Sequence, residues 1–392
     1  VPPTEALPQY THHLQAGSLL SLATMRLIAT TATADYALFY LKQGPITLGY
    51  HALERMLQVA EETGAAMVYV DHYSVEAGKT VKHPVTAYQL GSIRDDFDFG
   101  SVVLLKTEYL KEYAAKEVAK DYQFAGWYDL RLFLSRDGEL FHLNEYLYTE
   151  EEDDLRASGE KQFDYVNPRN REVQIEMEQA ATAHLSAIKA LVDTTQYVQP
   201  DFSGEAFPVE ASVVIPVFNR EKTVRDAVVS ALSQKTDFPF NVIVVDNHST
   251  DGTTEILSSL AADERLVHLI PTRTDLCIGG CWNYAINDAH CGRFAVQLDS
   301  DDLYSSENTL QAIVNAFHEQ KAAMIVGSYR MCDFDLNTLP PGLISHNEWT
   351  EDNGCNNALR INGLGAPRAF FTPLVRQHQF PNTSYGEDYA TV

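Results

Sequence analysis

Basic residues are scarce in this sequence. Its 392 residues include 29 Lys and Arg against 54 Asp and Glu, so the formal net charge at pH 7 is -25. This balance argues against binding to nucleic acid through a general basic surface, and we expect no nucleic-acid partner. Hydrophobic residues make up 45% of the chain, which is enough for ordinary packed cores. The length favours two domains.

Cysteine and long apolar runs are also lacking. The cysteines are Cys277, Cys281, Cys291, Cys332 and Cys355. Their odd number and the absence of a CxxC pair argue against a zinc site or a disulfide framework and favour reduced thiols. No apolar run approaches the ~20 residues that span a bilayer, and the opening VPPTEALPQY does not resemble a signal peptide. We expect a cytoplasmic protein, with at most a peripheral partner at the inner face of a membrane.

Two common phosphate-binding motifs are missing as well, because neither GxxxxGK[ST] nor GxGxxG follows a predicted strand. From residue 211 onward, strand-like and helix-like segments alternate. The strand-like segments ASVVIPV, NVIVVD, LVHLI and FAVQL are continuously apolar, as strands buried on both faces should be. This pattern predicts an α/β fold with an open, mostly parallel sheet and helices on both faces.

Polar residues follow three of these strands at the point where each strand ends. They lie at residues 216–219, 246–247 and 299–302. Ligands of such sheets bind at the carboxyl ends of the strands, so we expect all three groups to meet in one crevice. The carboxylates of Asp299, Asp301 and Asp302 suit Mg²⁺ or Mn²⁺, which usually bridges phosphates of a substrate. The sequence therefore predicts a phosphate-bearing substrate.

Five motifs carry a resemblance to a known family. ASVVIPVFNR, VIVVDNHSTDGT, CIGGCWNYAI, FAVQLDSDD and SYGEDYA occur in that order and resemble the family 2 glycosyltransferases of the GT-A fold. The resemblance covers about residues 211–392. It implies inverting transfer of a sugar from a nucleotide diphosphate donor to an acceptor hydroxyl. It also implies a role in polysaccharide or surface glycan synthesis, with a glycan or a lipid-linked acceptor.

The resemblance implies roles for individual residues. Asp301, with Asp299 or Asp302, would hold Mn²⁺ or Mg²⁺ on the donor diphosphate, Asp388 would be the general base, and Glu387 would support it. The residues implied in nucleotide binding are Pro216, Val217, Phe218, Asp246, Asn247 and Asp299. Gly279, Gly280 and Asn283 match a glycine-rich helix start, whereas Trp282 replaces the family's usual Arg.

Two departures from the family pattern affect the donor and the acceptor. Asn247 stands where the family usually has a second Asp that accepts a hydrogen bond from the base; its amide oxygen can still accept, so a UDP-sugar is the expected donor. Family members usually continue beyond the second acidic motif, whereas this sequence ends at Val392. We therefore expect the acceptor side to be truncated.

Several alternatives stay open at this point. A nucleotidyltransferase shares the sheet and the divalent chemistry, but it usually has a glycine-rich basic loop after the first strand. A catalytically silent scaffold that binds nucleotide or carbohydrate is the alternative outside the enzymes. Arg368 is as compatible with a core position as with a contact to donor phosphate.

The first part of the chain repeats the pattern of the second. ADYALFYLKQGPITLGYHALERM aligns with GRFAVQLDSDDLYSSENTLQAIV, and later segments align in the same order. We interpret residues 1–150 as a degenerate GT-A-like domain without catalytic function, because residues 41–44 (Leu-Lys-Gln-Gly) replace the acidic motif. Residues 151–210 should form an acidic loop, a helix over 171–192 and a linker. The acidic run 149–154 is predicted to be a solvated loop.

Overall fold

The computed structural model describes residues 14–76, 78–89, 91–116, 120–151, 161–347, 349, 356–361 and 363–391. The chain forms two compact units. The first comprises Val1–Val192 and Asn347–Ile361, and the second comprises Asp193–His346 and Asn362–Val392. The division differs from the predicted domains, because the helix after residue 170 groups with the first unit and the second unit is interrupted by residues 347–361.

The first unit is an α/β unit with a six-stranded sheet. Its strands are β1 (Tyr36–Tyr40), β2 (Ile46–Leu48), β3 (Met67–Glu76), β4 (Lys79–His83), β5 (Val102–Lys106) and β6 (Leu140–Glu151). Its helices before residue 192 are α1 (Leu22–Thr31), α2 (Ala52–Thr63), α3 (Thr107–Ala115), α4 (Gly126–Asp137) and α5 (Arg171–Ala187). The sheet order is β1-β5-β3-β6-β2, with β4 paired to β3.

Two predictions for this region need correction. Residues 149–151 are not a loop but the end of β6, because Thr149 and Glu150 pair with β2 on one side and with β3 on the other. Residues 152–154 lie outside the described residues. The helix predicted over 171–192 ends at Ala187, and Lys189 then adopts a left-handed backbone with φ of 60°.

The second unit carries the predicted open sheet. Its strands are β7 (Ala211–Val217), β8 (Phe240–Asp246), β9 (Leu266–Leu269), β10 (Phe294–Gln297), β11 (Met324–Val326), β12 (Tyr329–Cys332), β13 (Thr338–Ile344) and β14 (Arg368–Phe371). The main sheet has the order β11-β14-β10-β7-β8-β9, and β12 and β13 form a separate hairpin. β10, β7, β8 and β9 are parallel, whereas β14 is antiparallel to both of its neighbours. The predicted α/β fold with a mostly parallel sheet is confirmed.

Helices cover both faces of this sheet because its strands are apolar on both faces. The helices are α6 (Val224–Leu232), α7 (Thr253–Leu260), α8 (Ile278–Ile286), α9 (Thr309–Gln320), α11 (Thr372–His378) and α12 (Glu387–Thr391). Along β7, Val213 and Ile215 pack in one core with α6 and α9, while Val214 packs in another core with α8. Alternate residues of a strand point to opposite faces, so this one apolar run contributes to both cores.

The two units share a strand-pairing register. In the first unit, Leu105 of β5 pairs with Ala37 of β1 and with Met67 of β3. In the second unit, Phe370 of β14 pairs with Ala295 of β10 and with Met324 of β11. The quoted sequence alignment places Ala37 opposite Ala295, and both sets of pairs are antiparallel.

The interruption at 347–361 is held in the first unit by buried polar contacts. It contains the short helix α10 (Asn357–Arg360). The Arg360 side chain is fully buried and donates to Asn357 Oδ1 at 2.6 and 3.0 Å, to Asp95 and to Gln174. A buried guanidinium is tolerated only when its donors are paired.

Among the described residues, no helix has the length and apolarity that crossing a bilayer requires.

Replacing Arg360 with Met should destabilise the first unit. The substitution removes the donor from the partly buried Asp95 and Gln174 and from the buried Asn357, and we expect the free energy of unfolding to fall by about 3 kcal/mol. Urea denaturation of the full chain measures this change. Arg273→Met is the matched control, because the Arg273–Asp275 pair at 2.7 Å is exposed and solvent screening should leave it little effect on stability. Equal effects of the two substitutions would contradict the assignment.

Candidate active site

A cavity of about 900 Å³ lies at the carboxyl ends of β7, β8 and β10 in the second unit. Most of the predicted site residues line it: Pro216, Val217, Phe218, Asn247, Asp299, Asp301, Glu387 and Asp388. Asp246 and Asp302 are not among its lining residues. The structure therefore brings the strand-end residues and the second acidic motif into one space, although Pro216 and Asp388 are 172 positions apart in sequence (388 − 216).

The loops after β7 and β8 are tied together by their own polar groups. Asn219 has a left-handed backbone, with φ of 53°. Its side-chain Oδ1 accepts a hydrogen bond from Thr250 N at 2.7 Å, and its own N–H donates to Ser249 Oγ at 3.0 Å. Asn247 N donates to Val217 O at 2.9 Å. These bonds fix the two strand ends that form one wall of the cavity.

Asp246 lies beneath this wall rather than on it. Its carboxylate is fully buried and accepts hydrogen bonds from Thr254 Oγ1 at 2.6 Å, Ser249 N at 3.0 Å and His268 Nε2 at 3.3 Å. Burial alone would raise the pKa of Asp246, but these hydrogen bonds outweigh it and lower the pKa. The Asp246 carboxylate thus holds the start of the turn that carries Asn247.

The two polar atoms of the Asn247 side-chain amide differ in their contacts. Its Nδ2 donates to Leu276 O at 2.8 Å, which fixes the orientation of the amide. Its Oδ1 is buried and has no hydrogen-bond partner in the part of the chain that the structure describes. A buried acceptor without a partner costs free energy, and this one belongs to a residue that lines the cavity. Asn247 therefore carries an unsatisfied acceptor and lines the cavity.

The first acidic motif places its carboxylates in different surroundings. Burial raises the pKa of Asp299, although a hydrogen bond from Gln297 and the charge of Arg368 oppose it. Asp301 is about half exposed, with Oδ2 3.8 Å from Nε of the similarly exposed Arg220. Desolvation by the surrounding protein and the charges of Asp299 and Asp301 raise the pKa of Asp302 to about 6.

These carboxylates do not form a closed metal cage. Within the described residues, no group of three or more His, Cys, Asp or Glu side chains is arranged to hold a metal ion. Mg²⁺ and Mn²⁺ in phosphate sites are usually bound by one or two carboxylates, with water and substrate phosphates completing the shell. Asp299 and Asp301, two oxygen donors on an open cavity, fit this kind of site.

The second acidic motif enters the cavity from α12. Asp388 Oδ2 forms an ion pair with Arg368 Nη1 at 2.7 Å. Burial raises the pKa of Asp388, but the hydrogen bond and the charge of Arg368 outweigh it, so the pKa is lowered. Glu387 is buried, its Oε2 has no hydrogen-bond partner among the described residues, and burial raises its pKa. Of these two carboxylates, Asp388 is therefore the one whose ionised form the protein stabilises.

Close packing against α8 sets the position of the segment before α12. A Cβ on Gly279 would lie 1.9 Å from Pro381 O, and one on Gly280 would lie 2.3 Å from Asn382 Oδ1. Only glycine allows the backbone approach at position 279, whereas a side chain at position 280 would displace the side chains of Asn382 and Leu276. Asn283 Nδ2 donates to Phe380 O at 2.7 Å, and Phe380 N donates back to Asn283 Oδ1 at 2.8 Å. The glycine-rich helix start thus positions the second acidic motif.

The sequence patterns did not predict the role of two buried polar residues, Gln297 and Arg368. Gln297 ends β10 within an apolar run, and Arg368 begins β14. Both line the cavity. One feature of the sequence could have indicated them: each is a polar or charged residue within a segment whose other residues predict a buried strand.

Comparisons with known proteins agree with this geometry. A sequence model of the family described as "Glycosyl transferase family 2" matches residues 212–372. An uncharacterized glycosyltransferase of Haemophilus influenzae is 27% identical over 128 residues, which are 33% of this chain and 50% of that protein. The putative teichuronic acid biosynthesis glycosyltransferase TuaG of Bacillus subtilis is 26% identical over 181 residues, 46% of this chain and 69% of TuaG.

Among solved structures, S. aureus TarS 1–349 in complex with UDP-GlcNAc is similar to this chain. The two are 25% identical, the match covers 46% of this chain and 52% of that one, and the TM-score is 0.38. The chain spans half the length of the Haemophilus protein. The family match, the confirmed sheet and the order of the motifs lead to one conclusion: residues 212–372 form a glycosyl transferase family 2 domain.

Proposed function

We propose that this chain is a metal-dependent, inverting glycosyltransferase that moves a sugar from a nucleotide diphosphate donor to an acceptor hydroxyl. The observation that carries the proposal is the meeting of Asp299, Asp301 and Asp388 on one cavity of about 900 Å³. That volume lies within the range of small-molecule sites. The match to TuaG, named for teichuronic acid biosynthesis, supports a role in making a polysaccharide or surface glycan.

Asp301 and Asp299 would hold Mn²⁺ or Mg²⁺, with Asp302 beside them. When bound, the ion supplies positive charge to the departing diphosphate. Asp388 Oδ1 or Oδ2 takes the proton of the acceptor hydroxyl as its oxygen attacks the anomeric carbon. Asp388 is ionised at neutral pH, so its carboxylate can take that proton, and the lowered pKa from the contact with Arg368 makes it a weaker base than an isolated Asp. A single displacement inverts the anomeric centre and requires no nucleophile on the protein.

The donor nucleotide is proposed to be UDP. Pro216, Val217 and Phe218 supply an apolar wall for the base, and the unpartnered Oδ1 of Asn247 is an acceptor beside them. Uracil presents an N3–H donor to such an acceptor, whereas cytosine presents a lone pair at N3. Guanine also has a ring N–H, so GDP is the nucleotide that competes with UDP in this proposal.

The acceptor is proposed to be a glycan or a lipid-linked saccharide, reached in the cytoplasm or at the inner face of a membrane through a peripheral partner. We propose that the first unit does not catalyse transfer and is a degenerate copy of the second. The shared pairing register supports the relationship. Leu41 to Gly44 offer no carboxylate where the second unit has its acidic motif.

Calorimetry with UDP tests the metal assignment. We expect one UDP per chain, bound only with Mn²⁺, and no detectable binding to Asp301→Ala because the diphosphate then lacks its metal bridge. Asp237→Ala is the matched control, since Asp237 precedes β8 at the opposite edge of the sheet. Equal UDP affinity for wild type and Asp301→Ala would exclude the proposed metal site, and no nucleotide binding to wild type would favour a silent scaffold.

Replacing Asp388 with Asn tests the base. The amide cannot take a proton, so we expect the rate of donor turnover to fall by roughly 10²–10⁴-fold, while UDP affinity changes little. Donor hydrolysis, followed by release of UDP, gives this rate without knowledge of the acceptor. Asp335→Asn, in the turn between β12 and β13, is the control. Retention of more than a tenth of the wild-type rate would assign the proton transfer elsewhere.

Replacing Asn247 with Ala tests base recognition. Loss of one hydrogen bond to the base should weaken UDP about 5- to 10-fold and leave the binding of Mn²⁺ pyrophosphate unchanged. Titrations with UDP, GDP and CDP give the comparison, and wild type should bind CDP most weakly of the three. Asn315→Ala on α9 is the control. Unchanged UDP affinity would show that Asn247 Oδ1 does not face the base.

A further inference from the structure

Arg368 is a buried cation at the meeting point of both acidic motifs. Its side chain is 8% exposed. Nη1 pairs with Asp388 Oδ2 at 2.7 Å and donates to Leu364 O at 3.3 Å, while Nε donates to Gln297 Oε1 at 2.9 Å. Arg368 pairs with Val326 of β11, and the next residue, Ala369, pairs with Val296 of β10, so the strand that carries Arg368 is held from both sides. The guanidinium thus has partners on two separate elements.

Gln297 extends this contact to the first acidic motif. Its side chain is buried, and its Nε2 donates to Asp299 Oδ1 at 2.9 Å. Arg is a donor only, so Gln297 must turn its carbonyl oxygen towards Arg368. Its NH₂ group then faces Asp299, whose ionised carboxylate can only accept. The chemistry of the outer groups therefore leaves one orientation for the amide between them.

We propose that Arg368 and Gln297 are positioning residues that fix the general base and the metal-side carboxylate relative to one another. This inference rests on the proposed function. Asp388 acts at the attacking oxygen and Asp299 at the leaving diphosphate, which are the two ends of a displacement in line. Reactive groups must be held within about 0.5 Å of productive geometry, and misplacement by about 1 Å can cost 10²-fold in rate.

The contacts distinguish Arg368 from a donor-binding arginine. Its Nε and Nη1 groups are engaged by protein oxygens. Arg220, in contrast, is half exposed, and its nearest carboxylate oxygen is 3.8 Å away. We therefore expect Arg368 to act through Asp388 and Gln297 and to change turnover more than donor affinity.

Four variants separate these roles. Gln297→Met keeps the length of the side chain and removes both amide contacts. Arg368→Gln removes the charge, and Arg368→Lys keeps it without the bond to Gln297. The double variant Gln297→Met with Arg368→Gln tests whether the two residues act as one unit. Gln234→Met and Arg293→Gln are matched controls, because both are polar residues in buried or half-buried contacts away from the cavity.

The experiment measures Mn²⁺ affinity by electron paramagnetic resonance without nucleotide, donor hydrolysis kinetics, and the melting temperature of each variant. We expect Gln297→Met to weaken Mn²⁺ by about 10- to 100-fold, as loss of a partner of a metal ligand typically does. Arg368→Gln should lower kcat about 100-fold with donor KM within about threefold, and Arg368→Lys should recover part of kcat. The double variant should bind Mn²⁺ about as weakly as Gln297→Met alone.

Three results would overturn the inference. The first is a loss of melting temperature equal to that of the controls, with Mn²⁺ affinity and kcat unchanged. The second is a large increase in donor KM at constant kcat in Arg368→Gln, which would make Arg368 a donor-binding residue. The third is a wild type that binds no Mn²⁺, because the metal assignment then fails too. A wild type that binds Mn²⁺ but neither binds nor hydrolyses a nucleotide sugar overturns the proposed function alone, and the Mn²⁺ affinities still decide this inference.

Discussion

Repulsion between carboxylates is the constraint on which the second unit depends. One cavity at the edge of the sheet is lined by four carboxylates, those of Asp299, Asp301, Glu387 and Asp388. Negative charges that are close together oppose one another's ionisation. The buried guanidinium of Arg368 offsets part of this negative charge through its direct contact with Asp388. Burial raises the pKa values of Asp299 and Glu387, with a smaller contribution from neighbouring carboxylates, whereas the hydrogen bond and the charge of Arg368 outweigh burial at Asp388 and lower its pKa. Carboxylates that line the same cavity therefore differ in pKa.

The same cavity needs a backbone that comes very close to another backbone. Gly279 and Gly280 leave room for Pro381 and Asn382, and any side chain at either position would collide with them. Reciprocal hydrogen bonds between Asn283 and Phe380 then fix the register of this contact. The second acidic motif is therefore positioned by α8, a helix that contributes none of the carboxylates. A glycine-rich helix start can thus serve the site through packing rather than through phosphate contacts.

The first unit has different charged groups at the strand end that corresponds to the acidic motif of the second unit. At the strand end that corresponds to the acidic motif, Lys42 Nζ lies 2.6 Å from Glu150 Oε1. Burial would raise the pKa of Glu150, but hydrogen bonds from His72, Lys42 and Ser101 lower it to about 2. An ammonium group of the protein balances this carboxylate internally. That arrangement is consistent with the structural role proposed for the unit.

The sequence by itself determined the alternation of strands and helices in the second unit, because apolar runs of this length are stable only when buried on both faces. It also determined which residues follow each strand, and a parallel sheet brings strand ends to one edge. Tertiary structure alone decided the rest. The placing of Asp246 below the cavity wall, the orientation of Asn247, and the bridge from Arg368 through Gln297 to Asp299 depend on hydrogen bonds between residues far apart in sequence. The grouping of residues 347–361 with the first unit depends likewise on the contacts of the buried Arg360 with Asp95 and Gln174, which no local pattern encodes.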